Sequence, residues 1–270
     1  TYSNSNPEEN PMTYEEIRLS IDDSIARLTL ANPSKINALS VRMTQEMIHA
    51  LNSVADDESV KVVIIAAEGK NFSAGHYLPE MVNTGVKEIK QIFDECTRMM
   101  QLIHTIPQPV IAQIQGIATA AGCQLAAWSD LVVASEDARF ATPGVRIGLF
   151  CTTPMVAITR AIGRKAAMEM LLTGRYFPAE EAKTLGLVNR VVPLSELATE
   201  TDKLAREIAT ASRFTVSIGK HAFYAQVDQE DEKATQIAKN TMTMNAMAED
   251  AQDGIKAFLD KKPIVTWKNR

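Results

Sequence analysis

The stretch from Val60 to Ala67 constrains the fold of this 270-residue chain more than any other. It contains Val62-Val63-Ile64-Ile65, a β-branched run with no polar residue in it. A strand with one wet face alternates apolar and polar side chains, whereas an unbroken run suits a strand buried on both faces. Val110-Ile111-Ala112-Gln113-Ile114 and Leu131-Val132-Val133-Ala134 read as further core strands.

Around these strands the punctuation is clear. Ile17 to Ile21 and Ile25 to Leu30 alternate, with Asp22-Asp23-Ser24 between them, which predicts a β-hairpin. Asn32-Pro33-Ser34 breaks the second strand. Met43, Met47, Leu51 and Val54 recur at helical spacing behind Ser40, a good N-cap. Glu68 to Asn71 suits a turn. A long helix is expected from about Val86 to His104, stopped by Pro107-Gln108-Pro109, and Gly116 closes the strand that follows. The small-residue stretch Ala118 to Ala127 then enters another helix.

The order is strand, strand, helix, repeated with imperfect spacing, and it is not the strict alternation of a doubly wound sheet. After Val192 the character changes. Leu197, Leu204 and Ile208 share one helical face, and from Ser195 to Lys261 almost nothing reads as strand. We therefore expect an α/β core over residues 12–194 and a helical C-terminal region over 195–270, with Met242, Met244 and Met247 packing helices or subunits. Residues 1–11 are polar, lack the apolar stretch of a secretory signal, and read as a disordered tail.

Composition excludes several classes of function. The net charge of −5 gives no basic surface for nucleic acid. No run of eighteen apolar residues is present, so no membrane-spanning helix is expected. Cys96, Cys123 and Cys151 lie far apart, and His49, His76, His104 and His221 form no metal-ligand pair. Neither a disulfide framework, a metal site nor a redox cofactor is expected, and a reducing compartment is.

Three segments could carry chemistry. Phe72-Ser73-Ala74-Gly75-His76-Tyr77-Leu78 follows a buried strand. Gly116 to Gln124 does the same and leads into a helix, whose first turn offers free N–H groups. Phe140 to Leu149 reads as a turn-rich loop. Small residues in such places serve either tight packing or the close approach of a ligand, and two adjacent strand ends could aim two N–H groups at one oxyanion.

In order and spacing these segments resemble the crotonase (enoyl-CoA hydratase/isomerase) superfamily. Lys35-Ile36-Asn37-Ala38-Leu39 resembles its KxNAL segment, and Ser73-Ala74-Gly75-His76 its xAGxD loop. Ala121-Gly122-Cys123-Gln124-Leu125 with Asp130 resembles GGCELxxxxD. Gly254, Ala257-Phe258-Leu259 and Lys261-Lys262-Pro263 resemble its C-terminal signature. The resemblance runs from about Met12 to Trp267. It implies a spiral of ββα repeats with a C-terminal helical region that forms a homotrimer or a hexamer. It implies an acyl-CoA thioester as ligand, coenzyme A being part of the substrate, in the cytoplasm or the mitochondrial matrix. The main-chain N–H groups of His76 and Ala121 would form an oxyanion hole for a thioester enolate. Lys35, Ile36, Asn37 and Ala38 with Ser73, Ala74, Gly75, His76, Tyr77 and Gly122 would line the CoA site. Phe258 and Lys261 would join them, Phe258 by stacking on adenine from a neighbouring subunit.

The sequence also departs from that pattern. The two glutamates that activate water in a hydratase fall on Gln124 and Gly144, and the aspartate of the xAGxD loop falls on Tyr77. Gln124 can orient water but cannot take a proton near neutral pH, and Gly144 leaves room for water or a small anion, bicarbonate by analogy. His76 and Tyr77 are the remaining proton-transfer candidates. Cys151 reads as a buried thiol, and Glu80, Asp94 and Glu95 as a solvated helix face.

Overall fold

The computed structural model describes residues 13–263 and 266–270, so the expected tail over 1–11 lies outside the described residues. The chain opens with the expected hairpin, β1 (Ile17–Asp22) and β2 (Ile25–Leu30), paired antiparallel. Asp23 and Ser24 at its tip have φ of 43° and 66°, the left-handed pair that a tight two-residue hairpin turn demands. In α1 (Val41–Asp56) the Ser40 hydroxyl accepts the Met43 N–H at 3.0 Å, as an N-cap should. Then come β3 (Val62–Ala67), α2 (Val86–Thr105) and β4 (Val110–Ile114). The small-residue stretch is more than a helix entry: β5 (Ile117–Thr119) precedes α3 (Ala121–Trp128). Next are β6 (Leu131–Ser135), β7 (Arg139–Ala141), α4 (Thr152–Ala161) and α5 (Arg164–Thr173). The segment expected as a loop from Phe140 therefore starts inside a strand, and Pro143–Ile147 forms a 3-10 turn. The chain continues with β8 (Phe177–Pro178), α6 (Ala179–Leu185) and β9 (Arg190–Val192). It ends with α7 (Leu197–Ala209), α8 (Arg213–Gln226), α9 (Asp231–Met247) and α10 (Glu249–Leu259).

The strands form two sheets. One has the order β1-β2-β3-β4-β6-β9 and is parallel apart from the hairpin; the other is β5-β7-β8. The unbroken apolar run of β3 follows from what covers each face. Val63 and Ile65 join Leu28, Ala112, Val132 and the inner faces of α1 and α2 in the main core. Val62, Ile64 and Ala66 face the other way, onto Leu197, Leu204 and Ala205 of α7. The first helix beyond residue 195 thus covers the sheet, and α8 to α10 follow it. No helix among the described residues is long and apolar enough to cross a membrane.

Two acids, Glu46 buried and Asp130 half-buried, fasten the periphery. Glu46 of α1 accepts the N–H groups of Glu15, Glu16 and Ile17, which holds the start of β1. Asp130 accepts from Val110 N–H (2.7 Å), Lys220 Nζ (2.7 Å) and the Tyr224 hydroxyl (2.6 Å), which fastens α8 to the end of α3. Lys220 spends its other donors on the carbonyls of Ile103 and Gln108.

Candidate active site

Three loops at the ends of β3, β5 and β7 meet, and backbone hydrogen bonds explain why. The segment 36–39 lies alongside 74–77: Ala74 N–H donates to the Ile36 carbonyl (3.0 Å), Leu39 N–H to Gly75 (2.7 Å) and Tyr77 N–H to Leu39 (3.3 Å). On the other side, Ser73 N–H donates to Ile117 (3.0 Å) and Thr119 N–H returns to Ser73 (2.9 Å). The turn into α3 is tied to the third loop by Ala120 N–H, which donates to the Ala141 carbonyl at 2.9 Å.

This weave leaves the His76 and Ala121 N–H groups without an acceptor among the described residues. In the parallel bridge between Leu39 and His76, the bonds are made by the residues on either side of His76, so its own N–H faces the opposite way. Ala121 is the first residue of α3, where N–H groups have no intrahelical partner. Gly75 lets the two approach. Its φ is +88°, and a Cβ added there would stand 2.8 Å from Ala120 Cβ, 2.9 Å from the Thr119 carbonyl oxygen and 3.0 Å from Ala121 N. Gly122 interlocks in the same way, because an added Cβ would fall 2.6 Å from the Ser73 carbonyl oxygen. Ala120 holds the turn at φ 50°, ψ −118°, a conformation that L residues rarely adopt.

Around the pair the side chains divide into those committed to the protein and those left open. Asn37 is fully buried and wholly committed. Its amide donates to the Glu68 and Asn71 carbonyls, both at 2.9 Å, and accepts Asn32 N–H at 2.9 Å. Ser73 is equally engaged, donating to the Asn37 carbonyl and accepting Gly75 N–H. Both order the loops rather than offering their side chains to a ligand. Ala38 is buried, while Ile36 is exposed with φ 53°, an outlier for a β-branched residue. Lys35 is exposed, with its Nζ 4.6 Å from the centre of the Tyr77 ring and 3.7 Å from Glu16. Glu80 is also spent: it accepts the Val41 N–H at 3.0 Å and helps cap α1.

The open groups are neutral. Gln124 and Thr142 are almost completely buried, and Gln124 Oε1 and Thr142 Oγ1 have no hydrogen-bond partner among the described residues. Both ring nitrogens of His76 are also buried and unpartnered. Its imidazole stands edge-on to Phe93 of α2, with ring centres 5.3 Å apart, and burial lowers its pKa. Burial pushes the Cys123 thiol up to about 12 and raises that of Cys151. Gly144 departs from expectation. The space beside it is not vacant: an added Cβ would lie 2.1 Å from the Leu149 carbonyl oxygen and 2.8 Å from Cys151 Sγ. The loop has folded back onto this glycine, so it leaves no room for an anion at that point.

Phe258 and Lys261 stand apart from this cluster, exposed at the end of α10, Phe258 by 82%. A cavity of about 760 Å³ lies at the far end of α3, walled by Trp128, His104 and Tyr224, and contains none of the loop residues. Among the described residues no group of three or more side chains could hold a metal ion.

The enoyl-CoA hydratase/isomerase family model matches residues 20–270. The chain belongs to the enoyl-CoA hydratase/isomerase family. It is 46% identical over 244 residues to the human mitochondrial enoyl-CoA hydratase domain-containing protein 3, covering 90% of this chain and 80% of that protein. The crystal structure of the human protein superposes with a TM-score of 0.91 at 44% identity, covering 93% of this chain and all of that one. An enoyl-CoA hydratase from Mycobacterium smegmatis gives the same TM-score and identity, with 93% and 98% covered. The crotonase fold expected from the sequence motifs is therefore the fold of this chain. Thr142 and Ala120 lay inside quoted segments but carry no sequence signal of their own, since a buried hydroxyl and a strained alanine show only in three dimensions.

Proposed function

We propose that this family member binds an acyl-CoA thioester with its carbonyl oxygen between the main-chain N–H groups of His76 and Ala121, and stabilises the enolate there. The observation that carries this reading is the pair of acceptor-less N–H groups brought together over Gly75. Donors placed in advance act where charge develops, and one such donor is worth about 3 kcal/mol. Lys35 and the exposed Ile36 flank the CoA portion, with Asn37 and Ser73 positioning them. Phe258 and Lys261 reach the site from a neighbouring subunit of a trimer or a hexamer. The exposed Met242, Met244 and Met247 of α9 and Leu259 of α10 support such an assembly. The names of the vertebrate relatives point to mitochondria as the compartment.

Ordinary hydration is the weak part of the family's repertoire here. Gln124 and Gly144 stand where the resemblance puts two water-activating glutamates, and each acid–base group of that kind is worth about 10²–10⁴-fold. Titrating the purified protein with butyryl-CoA and with free CoA, alongside hydration of crotonyl-CoA, tests the reading. Saturable binding that favours the thioester, with slow hydration, is expected. Absence of thioester binding would refute it, and rapid hydration would refute the assignment of Gln124 and Gly144. Binding with no turnover of any thioester would mark a silent, regulatory CoA-binding protein.

A further inference from the structure

We propose that a second binding site, for a small phosphate ester, lies at the start of β5, apart from the loops around Gly75. Three turns meet there: residues 68–71 after β3, Gln115-Gly116 between β4 and β5, and residues 136–138 between β6 and β7. Lys70 and Asn71 of the first turn, Gly116 of the second and Asp137 of the third wall a cavity of about 540 Å³. Ile117, Arg139 and Tyr176 complete it. Small-molecule sites commonly enclose about 300–1,000 Å³. Ile117 opens β5 and Ala121 follows its other end, while Ile36 is bonded to the far side of the 73–77 segment. The cavity therefore shares no residue with the thioester site.

The open polar groups of these walls are mostly donors. The main-chain N–H groups of Lys70, Asn71, Gly116 and Asp137 have no acceptor among the described residues. Asn71 Oδ1 accepts the Ile117 N–H at 3.1 Å, which leaves its Nδ2 as a further donor. The Lys70 ammonium and the Arg139 guanidinium are exposed and make no ion pair among the described residues. Against these two cations the cavity wall carries a single carboxylate, Asp137, and the Ser135 hydroxyl donates to its Oδ1 at 2.5 Å. Unpaired cations and clustered main-chain N–H groups suit an oxyanion.

The donors are fixed before a ligand arrives. Gly116 has φ +57°, and a Cβ added there would stand 2.2 Å from the Lys70 carbonyl oxygen and 2.7 Å from Asn71 Oδ1. The turn after β3 is thus packed directly on the turn between β4 and β5. Phe72 N–H donates to the Gln115 carbonyl (3.0 Å) and Arg139 N–H to that of Gly116 (2.8 Å), which ties all three turns together. Little ordering remains to be done on binding.

The second sheet supplies the rest of the ligand's surroundings. Arg139 is in register with Ile117 and with Pro178, and Phe140 with Phe177. Side chains alternate along a strand, so Phe140 and Phe177 go into the core while Ile117, Arg139 and Tyr176 share the other face. An aromatic ring and an aliphatic side chain therefore lie beside the cations. Bare phosphate would leave them unused. A phosphate ester places its oxygens on Lys70, Arg139 and the turn N–H groups, and rests its organic part on Tyr176 and Ile117.

The test is to titrate the intact protein calorimetrically with inorganic phosphate and with phenyl phosphate at fixed ionic strength, with and without butyryl-CoA. One saturable site per chain is expected, tighter for phenyl phosphate and unmoved by butyryl-CoA. Lys70→Ala and Arg139→Ala should each weaken phenyl phosphate roughly ten-fold or more. Asp137→Asn should tighten it, and Tyr176→Ala should erase the advantage of the phenyl ester. Thermal unfolding checks that each variant is folded. Absence of saturable binding of phenyl phosphate would overturn the proposal. So would binding that butyryl-CoA displaces, or binding that survives removal of both cations, since either would put the anion elsewhere. A lipid headgroup carries the same phosphate. Sedimentation with phosphatidic acid vesicles that Arg139→Ala abolishes, with no binding of phenyl phosphate, would give the site to a membrane surface and overturn the soluble ester.

Discussion

Replacing Gly75 by alanine perturbs the contact on which the candidate site depends. Two costs combine. The residue has φ +88°, where a side chain costs about 1–3 kcal/mol. The added methyl also meets three atoms at 2.8–3.0 Å, two of them backbone, which cannot swing aside. Overpacking of this kind costs about 1–3 kcal/mol. The smaller entropy of the unfolded alanine chain returns about 0.4–1 kcal/mol. The net loss is about 1–5 kcal/mol, which for a chain of this size lowers Tm by roughly 2–20 °C. Gly219→Ala is the control. It lies inside α8 with nothing within 4 Å of the added methyl, so about 0.5–1 kcal/mol of gain is expected. Both variants are measured by thermal and urea unfolding, followed by butyryl-CoA titration at a temperature where both are folded. Gly75→Ala should lose affinity there and Gly219→Ala should not. A Gly75→Ala protein as stable as the parent would refute the interlock between the strand ends.

Three further outcomes follow from the same structure. Ala120→Gly relieves the strained turn before Ala121 and should raise stability by about 0.5–2 kcal/mol by urea unfolding; a loss would contradict the strain. Asp130→Ala leaves the Lys220 ammonium buried with only carbonyls around it and should cost about 3–5 kcal/mol, whereas Asp130→Ala with Lys220→Met should recover much of that; no recovery would deny the pairing. Burial lowers the pKa of His104 to about 4, against the opposing Trp128 carbonyl and Asp130 charge. Between about pH 6.5 and 4 the unfolded chain therefore binds a proton that the folded chain does not, and stability should fall as pH drops through that window. His104→Phe should flatten that slope, and an unchanged slope would show that the ring titrates normally.

The sequence carried the core well because each covering layer leaves a periodic trace. β3 has no polar residue because α1 and α2 cover one face and α7 the other. Ser40 capped α1 as its chemistry predicts. The second sheet was illegible: β5, β7 and β8 have three, three and two residues, too few to show a period of two. The candidate site divides along the same line. Gly75 and Ala121 could be located because main-chain chemistry follows the loop and the helix start. The commitment of Asn37 could not, because its three partners come from Asn32, Glu68 and Asn71, brought together only by folding. Gly144 misled because a sequence records a missing side chain but not the Leu149 carbonyl and Cys151 sulfur that fill its place.

The central claim, that two main-chain N–H groups polarise a bound thioester, is tested most directly by the carbonyl itself. Butyryl-CoA labelled with ¹³C at the thioester carbonyl is bound to the protein and followed by infrared difference spectroscopy. The account predicts a C=O stretch at clearly lower frequency than in water, lost in Gly75→Ala. A bound thioester whose stretch matches that of the free molecule would contradict it.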